Sequence, residues 1–215
     1  MKIVIPCTKS SDRFPGKNEK LINYTMDWLS RVQQSHDYPL EIYILLTAET
    51  YNLKEKFLRD NLTVTPLQLN DNVKAQAMEP AITAFFENVE VGTHEAVILL
   101  QLTQPLRALN LLQMAVKAYI DNNLKCVLSY VRGPEKWRVL DYTGNFNKAA
   151  RPTGELLKIH DGAIYVFNKT NYLDLWNTNA KASVLNDVAK LVDIDYPTDY
   201  NKQEIDELCK QYISF

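Results

Sequence analysis

Three short apolar runs without polar–apolar alternation constrain the fold of this chain most. They are KIVIPC at 2–7, LEIYILL at 40–46 and EAVILLQ at 95–101. Strands with one wet face alternate in polarity, whereas strands covered by helices on both faces are apolar throughout. We therefore predict three buried strands that belong to a mostly parallel sheet.

Segments with helical periodicity separate these runs. Apolar residues spaced for one helix face predict helices near 22–29, 78–85, 112–119 and 205–212. Further strands are predicted near 124–131, 162–167 and 189–194. The alternation of strand and helix predicts an α/β fold with helices on both faces of a mostly parallel sheet. Ligands of such sheets bind beyond the carboxyl ends of the strands.

The length of 215 residues, 46% of them hydrophobic, suits one sizeable core, so we predict a single domain over 1–215. The segment 132–156 interrupts the strand and helix rhythm and is rich in Gly, Pro, Asn and Lys. We interpret it as an excursion from the sheet, such as a hairpin arm or a dimer contact.

Charge and cysteine content limit the cellular context. The formal net charge is −2 and the basic residues are scattered, which argues against a nucleic-acid partner. Three cysteines without CxxC spacing are typical of a reducing compartment. The apolar stretch at 2–7 is too short for a signal peptide or a membrane span, so a cytoplasmic protein without membrane contact is expected.

The densest group of hydrogen-bond donors follows the first strand, from Thr8 to Asn18. A polyphosphate needs converging backbone N–H groups, hydroxyls and cations. The loop supplies them through Ser10, Ser11, Arg13, Gly16 and Lys17. Its spacing matches neither the P-loop nor the dinucleotide-binding fingerprint, and an ordinary solvated turn is the structural alternative.

Two later stretches carry further polar groups. Gln101 follows the strand at 95–101 and is expected at the ligand edge, where Pro105 stops the pairing and could occupy the first turn of a helix. Arg107 could touch substrate there. Asp193 and Asp195 alternate on a predicted strand and so share one face, which is a plausible magnesium site.

These motifs together resemble the acylneuraminate cytidylyltransferases, the CMP-sialic acid synthetases. The family pattern R-F-P-G-K-N is matched by Arg13 to Asn18, and L-L-Q-P-T-S-P-L-R by Leu99 to Arg107. N-G-A-I-Y and I-D-I-D-x-P-x-D are matched by Asp161 to Tyr165 and by Val192 to Asp199. The four motifs occur in the right order, and the resemblance runs through nearly the whole chain.

The resemblance implies a nucleotide-diphospho-sugar transferase fold of the GT-A-like, Rossmann-type class. It also implies Mg²⁺ as cofactor, CTP and an acidic, sialic-acid-like sugar as substrates, and a homodimer that uses 132–156 as its arm. CMP would pass from CTP to the anomeric hydroxyl, and pyrophosphate would leave. The implied roles are catalysis by Lys17, Arg13 and Asp193, nucleotide binding by Thr8, Lys9, Ser10, Ser11, Asn18 and Gln101, sugar binding by Gln104, Arg151, Asp161 and Tyr165, and metal binding by Asp193 and Asp195.

Several positions depart from the family pattern. Thr8 replaces an arginine and Asp12 replaces a donor, so Lys9 is expected to substitute as the phosphate-binding cation. Asp161 replaces an asparagine, and its carboxylate would repel a sugar carboxylate unless Arg151 screens it or the acceptor differs. Two alternatives stay open: a 3-deoxy-manno-octulosonate or other acidic-acceptor cytidylyltransferase, and a degenerate, non-catalytic nucleotide-binding homologue.

Overall fold

The computed structural model describes residues 1–8, 13–35, 39–70, 78–123, 125–133, 139–140, 146–147, 157–175, 182–188, 194 and 196–213. The strands are β1 (Lys2–Cys7), β2 (Glu41–Leu46), β3 (Thr63–Gln68), β4 (Val97–Leu99), β5 (Val127–Gly133), β6 (Val139–Leu140), β7 (Phe146–Asn147), β8 (Leu157–Phe167) and β9 (Ala182–Leu185). The α-helices are α1 (Lys17–Gln34), α2 (Met78–Asn88), α3 (Leu111–Asp121) and α4 (Lys202–Ile213). Short 3₁₀ helices span Tyr51–Phe57, Tyr172–Leu175 and Pro197–Asp199.

Seven strands form one sheet in the order β3-β2-β1-β4-β8-β5-β9. Strand β8 runs antiparallel to both neighbours, β4 and β5, while the other pairings of this sheet are parallel. Ile3 in β1 pairs with Ile42 on one side and Ile98 on the other. The predicted α/β class with a mostly parallel sheet is confirmed.

Helices cover both faces of the sheet. Alternate residues of each strand point to opposite faces, so neighbouring residues of β1 pack against different helices. Ile3 and Ile5 of β1 pack in one buried cluster with residues of α1, α3 and α4. Val4 packs in the other, which contains residues of α2 such as Phe85. Burial on both faces explains the unbroken apolar runs from which the sheet was predicted.

The four predicted helices are confirmed, one strand was missed, one expectation is wrong, and one falls mostly outside the described residues. Strand β3 was not predicted, because it combines threonines with Pro66 and lies half-exposed at the sheet edge, where a missing N–H is tolerated. Pro105 does not begin a helix, since α3 begins at Leu111. The strand expected near 189–194 falls mostly outside the described residues, and the last described strand is β9.

The segment proposed as an arm is described only in part. Strands β6 and β7 pair as a separate two-stranded antiparallel sheet, with Val139 opposite Asn147 and Leu140 opposite Phe146. Strand β5 runs parallel to β1 and β4, and β8 runs against them, so β5 ends and β8 begins at the carboxyl edge of the sheet. The connection therefore leaves and re-enters the sheet at its carboxyl edge. A role in dimerisation stays a prediction.

None of the helices within the described ranges combines the length and apolar character needed to cross a bilayer.

Candidate functional site

The carboxyl ends of three neighbouring parallel strands meet at one edge of the sheet. Strand β1 leads into Thr8, which is buried, and β4 leads toward Gln101. The hydroxyl of Thr47, directly after β2, donates a 2.7 Å hydrogen bond to the carbonyl oxygen of Thr8. This bond ties the ends of β1 and β2 together where a ligand is expected.

A lysine follows a left-handed glycine at the start of the helix after β1. Gly16 has φ +72°, a conformation that glycine adopts without steric cost, and α1 begins at the next residue. Lys17 is that first residue, and only 8% of it is exposed. A positively charged residue at the N-terminus of a helix, where the backbone also carries partial positive charge, favours binding of an anion.

Asn18 lies beside the end of β1, where its side chain hydrogen-bonds to the thiol of Cys7. Burial raises the pKa of this thiol to about 12, although the bond to Asn18 acts in the opposite direction. The structure thus brings Asn18 to the carboxyl edge together with Thr8 and Lys17. Its contact with a nucleotide stays a prediction.

The C-terminal segment packs on the residues that follow the loop. Arg13 is exposed and places its guanidinium carbon 5.0 Å from the centroid of the Tyr196 ring. Its Nη1 also donates a 3.3 Å hydrogen bond to the Tyr196 hydroxyl. Beside this pair, the Phe14 and Tyr200 rings lie 5.7 Å apart. The residues leading into α1 are therefore positioned by the chain that precedes α4.

The side chain of Gln101 crosses from the end of β4 to β8. Its Nε2 donates a 3.2 Å hydrogen bond to the Tyr165 hydroxyl. Gly162, with φ +67°, lies beneath this amide, since a Cβ built there would be 3.1 Å from Gln101 Oε1. Gln104 is also close, because its N–H donates to the Gln101 carbonyl oxygen at 3.3 Å, and its side chain is buried. Two predicted sugar-binding residues, Gln104 and Tyr165, thus lie close to Gln101, which was predicted to bind the nucleotide.

Asp161 is committed to hydrogen bonds within the fold. It is 97% buried, and its Oδ1 accepts hydrogen bonds from the Ser129 hydroxyl and, at 3.1 Å, from the Ala163 N–H. Asn186 Nδ2 donates to Oδ2 at 2.7 Å. Burial raises the pKa of the Asp161 carboxyl, while these donors and the charge of Arg107 oppose the rise. The described bonds give no support to the expected contact with a sugar, which stays a prediction.

Arg107 also has an internal environment and not the substrate-facing one that its motif allowed. It is 2% exposed and its guanidinium donates to the carbonyl oxygens of Ala163 (2.9 Å) and Gln101 (2.6 Å) and to the hydroxyl of Thr25 (3.1 Å). Burial lowers the pKa of Arg107 to about 10, and the charge of Asp161 opposes this. The sequence analysis missed this network. Ser129, a polar residue within the apolar run VLSYV, was the one signal in the sequence that a buried polar contact exists there.

The remaining predicted site residues lie outside the described ranges: Lys9, Ser10, Ser11, Arg151, Asp193 and Asp195. Ile194, between the two aspartates in sequence, is buried, and its N–H donates a 3.0 Å hydrogen bond to the carbonyl oxygen of Thr103. Within the described residues no group of three or more His, Cys, Asp or Glu side chains could hold a metal ion. The magnesium site stays a prediction.

No family model and no curated protein matches the chain. Among solved structures, it is similar to a CMP:2-keto-3-deoxy-manno-octonic acid synthetase complexed with CTP. That likeness has a TM-score of 0.68 at 14% identity and covers 97% of this chain and 98% of the other. It is also similar to 4-diphosphocytidyl-2C-methyl-D-erythritol synthase from Anaerococcus prevotii, with TM-score 0.64, 14% identity and coverage of 92% and 93%.

A third similar structure is HddC from Yersinia pseudotuberculosis, with a TM-score of 0.62, 13% identity and coverage of 98% and 99%. At such identities a structural likeness establishes the fold alone. The mostly parallel sheet with its reversed strand β8 and the likeness to these structures indicate the same fold. The chain has the nucleotide-diphospho-sugar transferase fold.

Proposed function

We propose that this chain is a cytidylyltransferase that transfers CMP from CTP to the anomeric hydroxyl of an acidic sugar. The observation that carries the proposal is the position of Lys17, a buried cation at the N-terminus of α1 directly beyond β1. A lysine at this position and the positive end of the helix both attract negative charge. A nucleotide polyphosphate supplies that charge at the ligand edge of this fold.

The choice of CTP draws on two of the similar structures. One was solved with CTP, and the other is named for a diphosphocytidyl product. The loop Arg13 to Asn18 also matches the cytidylyltransferase pattern given above. These points support cytidylyl transfer over transfer of another nucleotide.

For the acceptor we propose a sialic-acid-like nonulosonic acid, on the strength of the DGAIY and VDIDYPTD motifs. The second candidate is 2-keto-3-deoxy-manno-octonic acid, favoured by the likeness to its CMP synthetase. Both are acidic 2-keto sugars. Gln101, Gln104 and Tyr165 would face this acceptor, with Arg151 contributing a positive charge.

The chemistry is an in-line displacement at the α-phosphorus. The anomeric oxygen forms a bond to that phosphorus while the bond to the bridging oxygen of pyrophosphate breaks, and the hydroxyl proton passes to a base, for which we propose Asp193. Lys17, Arg13 and the N–H groups at the start of α1 would stabilise the charge on the departing pyrophosphate. Thr8, Lys9, Ser10, Ser11 and Asn18 would hold the rest of the nucleotide.

We propose Asp193 and Asp195 as the ligands of Mg²⁺. Carboxylates are the donors this ion takes in nucleotide sites, and the bond of Ile194 to Thr103 supports a position near the same edge. When bound, the ion would neutralise phosphate charge.

We also propose that the protein acts in the cytoplasm and forms a homodimer through residues 132–156. Light scattering that compares the mass of the intact chain with that of a chain lacking 132–156 would test the dimer.

The test measures pyrophosphate release from CTP with Mg²⁺ and either N-acetylneuraminate, 2-keto-3-deoxy-manno-octonic acid or no acceptor. A CMP-sugar product, identified by mass, is expected with at least one acid. Lys17→Met should lower kcat/KM at least about 100-fold, as removal of a transition-state donor does. Lys117→Met, an exposed lysine on α3, makes the same charge change and should stay within about twofold of wild type.

Two outcomes would contradict the proposal. The first is CTP binding without turnover on any acidic sugar, which would favour the non-catalytic nucleotide-binding homologue. The second is an equal effect of the two lysine substitutions, which would remove Lys17 from the mechanism.

A further inference from the structure

Arg107 connects the two strands that carry the acceptor side of the site. Its Nη2 donates to the carbonyl oxygen of Gln101, at the end of β4, and its Nε donates to the carbonyl oxygen of Ala163 in β8. The same β8 segment contains Gly162, which lies against the Gln101 amide. One planar group therefore fixes the backbone on both sides of the Gln101 side chain.

The guanidinium also contacts helix α1. Its third described partner is the hydroxyl of Thr25 in α1, and its carbon lies 5.6 Å from the centroid of the Trp28 ring. Trp28 in turn donates from Nε1 to the carbonyl oxygen of Ala108 at 3.1 Å. Helix α1, which carries Lys17, is thus joined to the acceptor side by the same residue.

Asp161, in the same β8 segment, supplies an opposing charge to Arg107. Asn186 bridges it to the chain next to Arg107, because Nδ2 also donates to the Leu106 carbonyl at 3.1 Å and Oδ1 accepts from the Ala108 N–H at 3.0 Å. The charges of Arg107 and Asp161 attract each other, and this attraction offsets part of the cost of burying them.

We propose that Arg107, supported by Asp161, is a positioning residue for the acceptor: it sets the geometry of Gln101 and Gly162 without touching substrate. The inference rests on the proposed cytidylyl transfer. In this proposal Asp161 does not make the sugar contact that its motif suggests. It supports Arg107, which positions Gln101 and Gly162.

Arg107→Lys tests this directly, since an ammonium keeps the charge but cannot reach both carbonyl oxygens in one plane. The matched control is Thr25→Val, which removes a partner of the same guanidinium away from the acceptor. For Arg107→Lys we expect an acceptor KM raised about tenfold, with the CTP KM changed less than about twofold. Thr25→Val should leave both KM values within about twofold of wild type.

A second variant covers the case in which Arg107→Lys does not fold. Ser129→Ala removes the hydroxyl that donates to Asp161 and should raise the acceptor KM severalfold with the CTP KM unchanged. An equal rise in both KM values, or an effect of Arg107→Lys no larger than that of Thr25→Val, would overturn the inference.

Hydrogen exchange separates this inference from the proposed function. In Arg107→Lys the amides of Gln104 and of Ala163 and Ile164 should exchange faster than in Thr25→Val, whether or not the protein turns over CTP. If wild type makes no CMP-sugar but this local exchange pattern is found, only the proposed function fails. If wild type is active and the exchange does not differ, only the positioning role fails.

Discussion

The guanidinium of Arg13 stacks on the Tyr196 ring and donates a hydrogen bond to the hydroxyl of the same side chain. This contact fixes a predicted phosphate-binding cation before the nucleotide arrives. Tyr196→Phe keeps the stacking and should change the CTP KM less than about twofold. Tyr196→Leu loses both interactions and should raise the CTP KM about two- to fivefold, the size of an exposed cation–π contact. Tighter CTP binding by Tyr196→Leu would show instead that Tyr196 competes with phosphate for Arg13.

The two left-handed glycines of the site region differ in what surrounds them. Gly16→Ala meets no atom within 4 Å, so it should cost only the backbone strain, about 1–2 kcal/mol of unfolding free energy. Gly162→Ala adds a 3.1 Å approach to Gln101 Oε1 and should cost more. Urea denaturation measures both. In a Gln101→Ala background the excess should vanish, and its persistence would place the strain elsewhere.

The buried Asp161 carboxyl should make the free energy of unfolding depend on pH. Because its folded pKa is raised, its contribution is fully present below the unfolded value, about 4, and is lost as pH rises through the folded pKa. The unfolding free energy of Asp161→Asn relative to wild type should therefore increase from pH 4 toward neutrality. Asp174→Asn is the control, because Asp174 is exposed and its substitution removes the same single charge. An identical pH trend in the two variants would contradict this reading.

Two of the cysteine thiols should resist alkylation. Burial raises the pKa of Cys7 to about 12 and that of Cys209 to about 11, so few thiolates exist near neutral pH. Peptide mapping after iodoacetamide treatment at pH 8 should find both residues unmodified in the folded protein and labelled in urea. Rapid labelling of Cys7 in the folded protein would mean that the end of β1 opens in solution.

Much of the fold could be predicted because burial on both faces leaves a clear signal in the sequence. The unbroken apolar runs gave β1, β2 and β4, and the helical periodicity gave all four helices. The edge strand β3 was missed because one-sided exposure permits threonine and Pro66, which read as loop residues. The reversal of β8 was also missed, since pairing direction depends on contacts distant in sequence.

The site was predictable where a motif lies directly after a strand. Lys17 and Gln101 were expected at the carboxyl edge of the sheet for this reason, and both lie there, while their contacts with a ligand stay predictions. Asp161 was expected to contact the sugar because the family resemblance implies that role, and Arg107 was a candidate for substrate contact because it follows the strand at 95–101. The partners of Asp161 are Ser129 in β5 and Asn186 just after β9, and residues so far apart in sequence come together only in the folded chain.

Strand β8 runs against its neighbours, so the chain enters it from the ligand edge. The insertion between Gly133 and Leu157 is therefore attached to the core by two adjacent strand ends. A chimera that exchanges this insertion between homologues would leave every parallel pairing and the helix that carries Lys17 untouched. Recognition of new acceptors could thus evolve, or be engineered, by grafting at a single junction while the nucleotide half is inherited unchanged.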